Sequence, residues 1–148
     1  MAESESESEH PARRAGLLSQ KHVSEGNRDA WLDLFAEDGV LADPVGPSPL
    51  DREGNGHQGK AAITAFYDKF ISMGKVSFDY PRSYACGEEC AFIGTVYTRI
   101  GDRPEQASEG VFLYRVNSDG KIMSLRAFWE LARPTLSEDI HPAVGRAR

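Results

Sequence analysis

The hydrophobic pattern of this chain changes period once, at Gly74, and that switch limits the folds open to it. Ahead of Gly74 apolar residues recur at helical spacing; beyond it they alternate residue by residue. Between Ala15 and Ala36, the positions of Leu17, Leu18, Val23, Trp31, Leu32, Leu34 and Phe35 predict two short helices. The turn Ser24-Glu25-Gly26-Asn27 separates them, with Asn27 placed to cap the second. Gly39 to Pro44 reads as a short strand stopped by proline. Residues 46–59 form a long Gly/Pro-rich loop, and Lys60 to Met73 a helix with Ile63, Phe66 and Phe70 on one stripe. After the switch, Lys75–Tyr84, Cys90–Ile100, Ser108–Asn117 and Lys121–Leu131 predict four strands, joined by tight turns such as Asn117-Ser118-Asp119-Gly120. Helices first and a meander afterwards predict an α+β fold. Three helices cover one face of a cone-shaped, curved antiparallel sheet that opens at one end, an architecture suited to a small-molecule pocket.

A chain of 148 residues fits one domain. Residues 1–13 are Glu/Ser-rich and nearly free of apolar groups, and are expected to form a disordered acidic tail. Residues 133–148 carry Pro134 and Pro142 and lack periodicity, which predicts a trailing extension and leaves 14–132 as the folded domain. The tail glutamates supply four of the six net negative charges; residues 11–148 carry 17 basic and 19 acidic side chains. A nearly neutral body gives no electrostatic reason to bind nucleic acid. No apolar run approaches the ~18 residues that a membrane span requires, and the N-terminus lacks the apolar core of a secretory signal. Cys86 and Cys90 are too few for a disulfide framework, and no His/Cys cluster has zinc spacing. The expectation is a cytoplasmic domain with no metal, no other cofactor and no membrane partner.

Three runs carry a resemblance: LFAEDGVLADPVG (Leu34–Gly46), GKAAITAFYDKF (Gly59–Phe70) and YRVNSDGKIMSLRAFWE (Tyr114–Glu130). Over residues 17–131 the chain resembles the ketosteroid isomerase branch of the nuclear transport factor 2-like (cystatin-like, polyketide cyclase-like) superfamily. The resemblance implies a six-stranded curved sheet with three helices, frequently a homodimer, and a pocket for a steroid- or polyketide-like carbonyl compound. It also implies that Asp43, ahead of Pro44-Val45-Gly46, is a base that shuttles a proton between carbons of an enone. Isomerases of this family stabilise the resulting oxyanion with a helix tyrosine and a protonated strand aspartate. Those two positions fall on Ser19 and Phe112, so neither donor is present. Each oxyanion donor is worth about 10²–10³ in rate, which predicts weak or absent isomerase activity. Tyr67 matches a family tyrosine that backs up the missing one, and is the second catalytic candidate.

The residues themselves agree with part of this. Asp43 between Leu41-Ala42 and Pro44-Val45 is set to be desolvated, which raises a carboxyl pKa toward that of a useful base; the alternative is that it only ends a strand and caps a turn. Strand alternation puts Phe112 and Tyr114 on one face and Trp129 on the same side of the last strand. With Ser19 and Phe66 they are candidate ligand-binding residues, or plain core. His22 is a candidate partner for Asp43, and His57 an exposed loop residue or an acid at the pocket mouth. The loop 47–58 reads as a lid or as a surface insertion. The opposite sheet face, with Ile93, Tyr97, Val111, Leu113, Arg126 and Phe128, is apolar enough to predict a two-fold homodimer. Three functions remain open: a carbonyl-directed enzyme, a non-catalytic ligand-binding protein, or a dimeric interaction module.

Overall fold

The computed structural model describes residues 10–131, so residues 1–9 of the expected tail and the extension 133–148 lie outside the described residues. Helix α1 (Pro11–Glu25) places Pro11 in its first turn, where the missing N–H costs nothing. His10 caps it: Nδ1 accepts from the Ala12 N–H at 3.1 Å, while Nε2–H donates to the Gly87 carbonyl at 3.1 Å. Ala12 is fully buried. Residues 10–13 therefore belong with the helix and the core, ahead of the expected boundary at residue 14, because this first turn packs inward and is tied to the β3–β4 turn.

The buried face of α1 is Ala12, Ala15, Gly16 and Ser19, whereas Leu17 is 45% exposed. The expected leucine stripe gives way to a small-residue stripe because the helix lies directly on aromatic rings. A β-carbon on Gly16 would run into the Phe92 ring. Helix α1 ends at Gly26, whose φ of 71° suits glycine, with the Gly26 and Asn27 amides donating to the Val23 and His22 carbonyls. Helix α2 (Arg28–Leu32) is a single turn, and the Asn27 side chain makes no capping bond.

Strand β1 (Phe35–Ala42) starts earlier than the sequence suggested. Phe35 and Ala36 leave the helical pattern because Phe35 pairs with Ile122, and the Leu34 carbonyl accepts from the Ile122 N–H at 2.8 Å. The 46–59 loop contains a short strand, β2 (His57–Gln58), paired to Val40 and Leu41. Helix α3 (Lys60–Lys69) and the 3₁₀ turn Ile71–Met73 replace the single expected helix. Strands β3 (Lys75–Cys86), β4 (Glu89–Arg99), β5 (Gln106–Val116) and β6 (Ile122–Phe128) form the antiparallel meander.

The six strands lie in the order β2-β1-β6-β5-β4-β3. Because β1 runs parallel to β6, the sheet is mixed and not wholly antiparallel. The α+β class, the curved sheet and the three helices stand. Curvature has a local cause: the β3–β4 register slips between Asp79 and Arg82, around Pro81, and the facing Gly94 lies against the Asp79 carbonyl where no β-carbon fits. Trp31, Phe35, Leu41, Ile63, Phe92 and Ile122 are among the largest fully buried side chains of the core.

Candidate active site

Between the concave face of the sheet and the helices lies a cavity of about 410 Å³, within the range of small-molecule sites. Its wall is largely apolar. Period two on β3 brings Val76, Phe78 and Tyr80 to it; β5 contributes Ser108, Phe112 and Tyr114, and β6 with its continuation adds Leu125, Ala127 and Trp129. Phe66 and Phe70 enter from α3, and Ser19 and Val23 from α1. The loop after β1 contributes Pro49 and Leu50. Asp51 organises that loop by accepting from the Gly54 and Gly56 amides at 3.2 and 2.7 Å.

Asp43 follows β1 directly and reaches this wall. The Trp129 indole N–H donates to its Oδ1 at 2.6 Å, a short charge-assisted bond. Burial pushes the carboxyl pKa up; the Trp129 bond and the nearby His57 pull it back without cancelling the rise. Among the described residues Asp43 forms no ion pair. It is therefore a carboxylate held by one neutral donor in a mostly apolar chamber, with part of its surface open to that chamber.

Ser19 accepts from the Trp31 indole N–H at 2.9 Å, and its Oγ lies 3.3 Å from the Tyr114 hydroxyl. Burial raises the Tyr114 pKa and the charge of Asp43 raises it further, against the bond to Ser19. Tyr80 stacks on Phe112 at 4.8 Å and 17°, and its hydroxyl is likewise held protonated by burial, by Tyr114 and by Asp43. Phe112 thus fills with an aromatic ring the place where the resemblance puts a carboxylic acid.

Of the candidates, Asp43, Ser19, Phe66, Phe112, Tyr114 and Trp129 converge on one cavity. Tyr67 is not on its wall. Neighbouring residues on a helix diverge by about 100°; while Phe66 faces the cavity, the Tyr67 ring packs on Trp31 at 5.4 Å. The charges acting on its hydroxyl are Arg28 and Asp68. His22 stays off the wall and, among the described residues, its Nδ1 is buried without a partner, so the candidate pairing with Asp43 is not formed. His57 is not an exposed loop residue: β2 pairing draws it in, its ring lies 4.7 Å from Phe66, and among the described residues its Nε2 is buried without a partner. Sequence reasoning missed Tyr80 and Trp31 as site residues. The alternation Val76-Phe78-Tyr80 carried the signal for Tyr80; Trp31 had none, because its bond to Ser19 exists only once α1 and α2 have packed.

Residues 19–125 match the family model of the SnoaL-like domain. The chain belongs to this family. A curated relative of this SnoaL-like domain, the steroid delta-isomerase of Nocardioides simplex, is 34% identical over 107 residues, 72% of this chain and 80% of the relative. Two solved structures share its fold closely. The Δ5-3-ketosteroid isomerase of Mycobacterium sp. superposes with a TM-score of 0.79 at 33% identity, covering 83% of this chain and 95% of that one. RV0760c of Mycobacterium tuberculosis, in complex with estradiol-17beta-hemisuccinate, does so at 0.79 and 32% identity, covering 84% and 97%. The resemblance read from the sequence is therefore correct at the level of family and fold. Among the described residues no group of His, Cys, Asp and Glu could hold a metal ion, and no helix is long and apolar enough to cross a membrane.

Proposed function

We propose that the cavity binds a small, largely apolar carbonyl compound of steroid or polyketide size, and that Asp43 is its general base. The observation that carries this reading is Asp43 itself: a cavity carboxylate without an ion-pair partner among the described residues, aimed by the Trp129 indole and raised in pKa by burial. In the step, an Asp43 oxygen takes a proton from the carbon α to the carbonyl. The C–H electron pair moves into the ring system to give an enolate, and the same carboxyl returns the proton to the γ-carbon. A carboxylate with a raised pKa is a better match to a weakly acidic C–H than an ordinary aspartate. The isomerase activity of the curated relative and the steroid ligand of the solved neighbour support the substrate class.

Phe112 and Ser19 favour a slow enzyme, or a binding protein that has kept the chamber. Turnover of a 5-ene-3-ketosteroid, followed by the absorbance of the conjugated product, tests the proposal. The expected result is slow isomerisation, orders of magnitude below an efficient isomerase, abolished by Asp43→Asn with ligand binding retained. Undiminished turnover in Asp43→Asn refutes the role of Asp43. Steroid binding without any turnover leaves the binding-protein reading in place of the enzyme.

A further inference from the structure

The cavity wall is polar in one place that proton transfer at Asp43 does not use. Thr98 on β4 and Gln106 and Ser108 on β5 all line it. The sheet register sets Thr98 directly opposite Gln106, and Ser108 opposite Val96, so the three share the concave face. Opposed side chains on such a face stand about 5 Å apart and diagonal ones about 7–8 Å, which puts one ligand group within reach of all three. Exposure does not account for their polarity. Ile100 and Leu131 on the same wall are 36% and 48% exposed and apolar, whereas Thr98 and Ser108 are half-buried and polar. None of the three side chains has a hydrogen-bond partner among the described residues.

We infer that Thr98, Gln106 and Ser108 form a second polar subsite, and that it binds a hydroxyl group on the end of the ligand that lies away from Ser19 and Tyr114. The inference rests on the proposed ligand class and adds a second functional group to it. Along β5 the concave-face order is Tyr114, Phe112, Gly110, Ser108 and Gln106. Asp43 is held at the level of Gly110, where Trp129 stands, with Phe112 on one side and Ser108 on the other. Phe112 and Ser108 are four residues apart, about 14 Å along the strand, a length that a four-ring skeleton with an oxygen at its far end covers. Serine and threonine hydroxyls both donate and accept, and the glutamine amide offers both roles. A ligand hydroxyl uses both; a ketone uses the donors alone. Asp43 is the only charged side chain on the wall among the described residues. A carboxylate or phosphate at the subsite therefore has no counter-ion and is repelled by Asp43, so the ligand is a neutral hydroxyketone with an apolar body.

Androst-4-en-3-one and its 17β-hydroxy derivative, testosterone, form a matched pair of probes that differ by one hydroxyl at the far end of the skeleton. Both are already conjugated, so equilibrium binding is read without turnover. Wild type is expected to bind testosterone about 5-fold tighter, the scale of one neutral hydrogen bond. In the triple variant Thr98→Val, Gln106→Met, Ser108→Ala this preference is expected to vanish while androst-4-en-3-one binds as it does to wild type. A merely structural role of the three residues would weaken both probes together. Thr98→Val alone keeps the side-chain shape and the strand propensity and is expected to lose part of the preference, so the test does not depend on the triple variant folding. Equal wild-type affinity for the two probes overturns the inference and leaves the proposed function standing, because the ketone still binds. A preference that survives the triple variant also overturns it and puts the hydroxyl elsewhere in the cavity. Failure of wild type to bind either probe overturns the reading of the cavity itself, and the inference with it.

Discussion

Replacing Gly110 by alanine tests whether the sheet holds Asp43 in place through Trp129. Gly110 lies on β5 beside the end of β6, where a β-carbon would overlap the Phe128 carbonyl oxygen and stand 3.0 Å from its carbon and 3.1 Å from Trp129 Cβ. These are backbone atoms and the root of a side chain, so no rotamer change relieves the clash; the end of β6 has to move outward. Forced shifts of this kind in a packed interior cost about 1–3 kcal/mol. For a domain of this size each kcal/mol lowers Tm by about 3–5 °C, giving a drop of roughly 3–15 °C. The same displacement pulls the indole from Asp43, where a 2.6 Å bond leaves no slack. The chain has two tryptophans, so a ¹⁵N correlation spectrum contains two indole N–H signals, one for Trp129 on Asp43 and one for Trp31 on Ser19. In Gly110→Ala the Trp129 signal is expected to move and that of Trp31 to stay, with Tm lowered. If Tm and both signals remain in place, β6 is not what positions the carboxylate.

Asp43 also makes a signed prediction about pH. Burial raises its folded pKa above the ordinary 3.8, so in the window above that value the native chain holds a proton that the unfolded chain has released, and stability falls as pH rises through it. Asp43→Asn is therefore expected to be more stable than wild type at pH 7 and to lose this advantage below about pH 4; an advantage that grows on acidification refutes the buried-carboxylate account. On α1, Leu17→Lys is expected to change stability by no more than about 0.5 kcal/mol, whereas Ala15→Leu costs about 1–3 kcal/mol by overpacking. Denaturant titrations giving the reverse order would return the core face to the leucines. On the outer sheet face Val111 and Phe128 are exposed, with Arg126 over the Phe128 ring at 5.1 Å. We propose that this face pairs with a second copy, so light scattering is expected to give twice the chain mass and Phe128→Asp to halve it; a wild-type monomer at micromolar concentration removes the idea.

Much of the fold was legible in the sequence because it depends on period, and period is a local property. Alternation after Gly74 located all four long strands, and with them the cavity side of Phe112, Tyr114 and Trp129. The Asp43-Pro44 ending of β1 located the carboxylate by motif. Other features were settled by neighbours distant in the chain. Leu17 and Ala15 differ in burial because the rings of Phe92 and Tyr114 crowd the concave face, and no helical pattern on α1 records what it will meet. Phe35 is strand and not helix because Ile122, 87 residues later, supplies its partner. His57 is drawn inward by pairing with Leu41, and Tyr67 is turned away from the cavity by the phase of α3 against Trp31. The sequence by itself determined the class, the family and the strand pattern. Only the tertiary structure decided which hydroxyls share the chamber, because a hydrogen bond such as Tyr114 to Ser19 joins residues 95 positions apart and is written in neither segment alone.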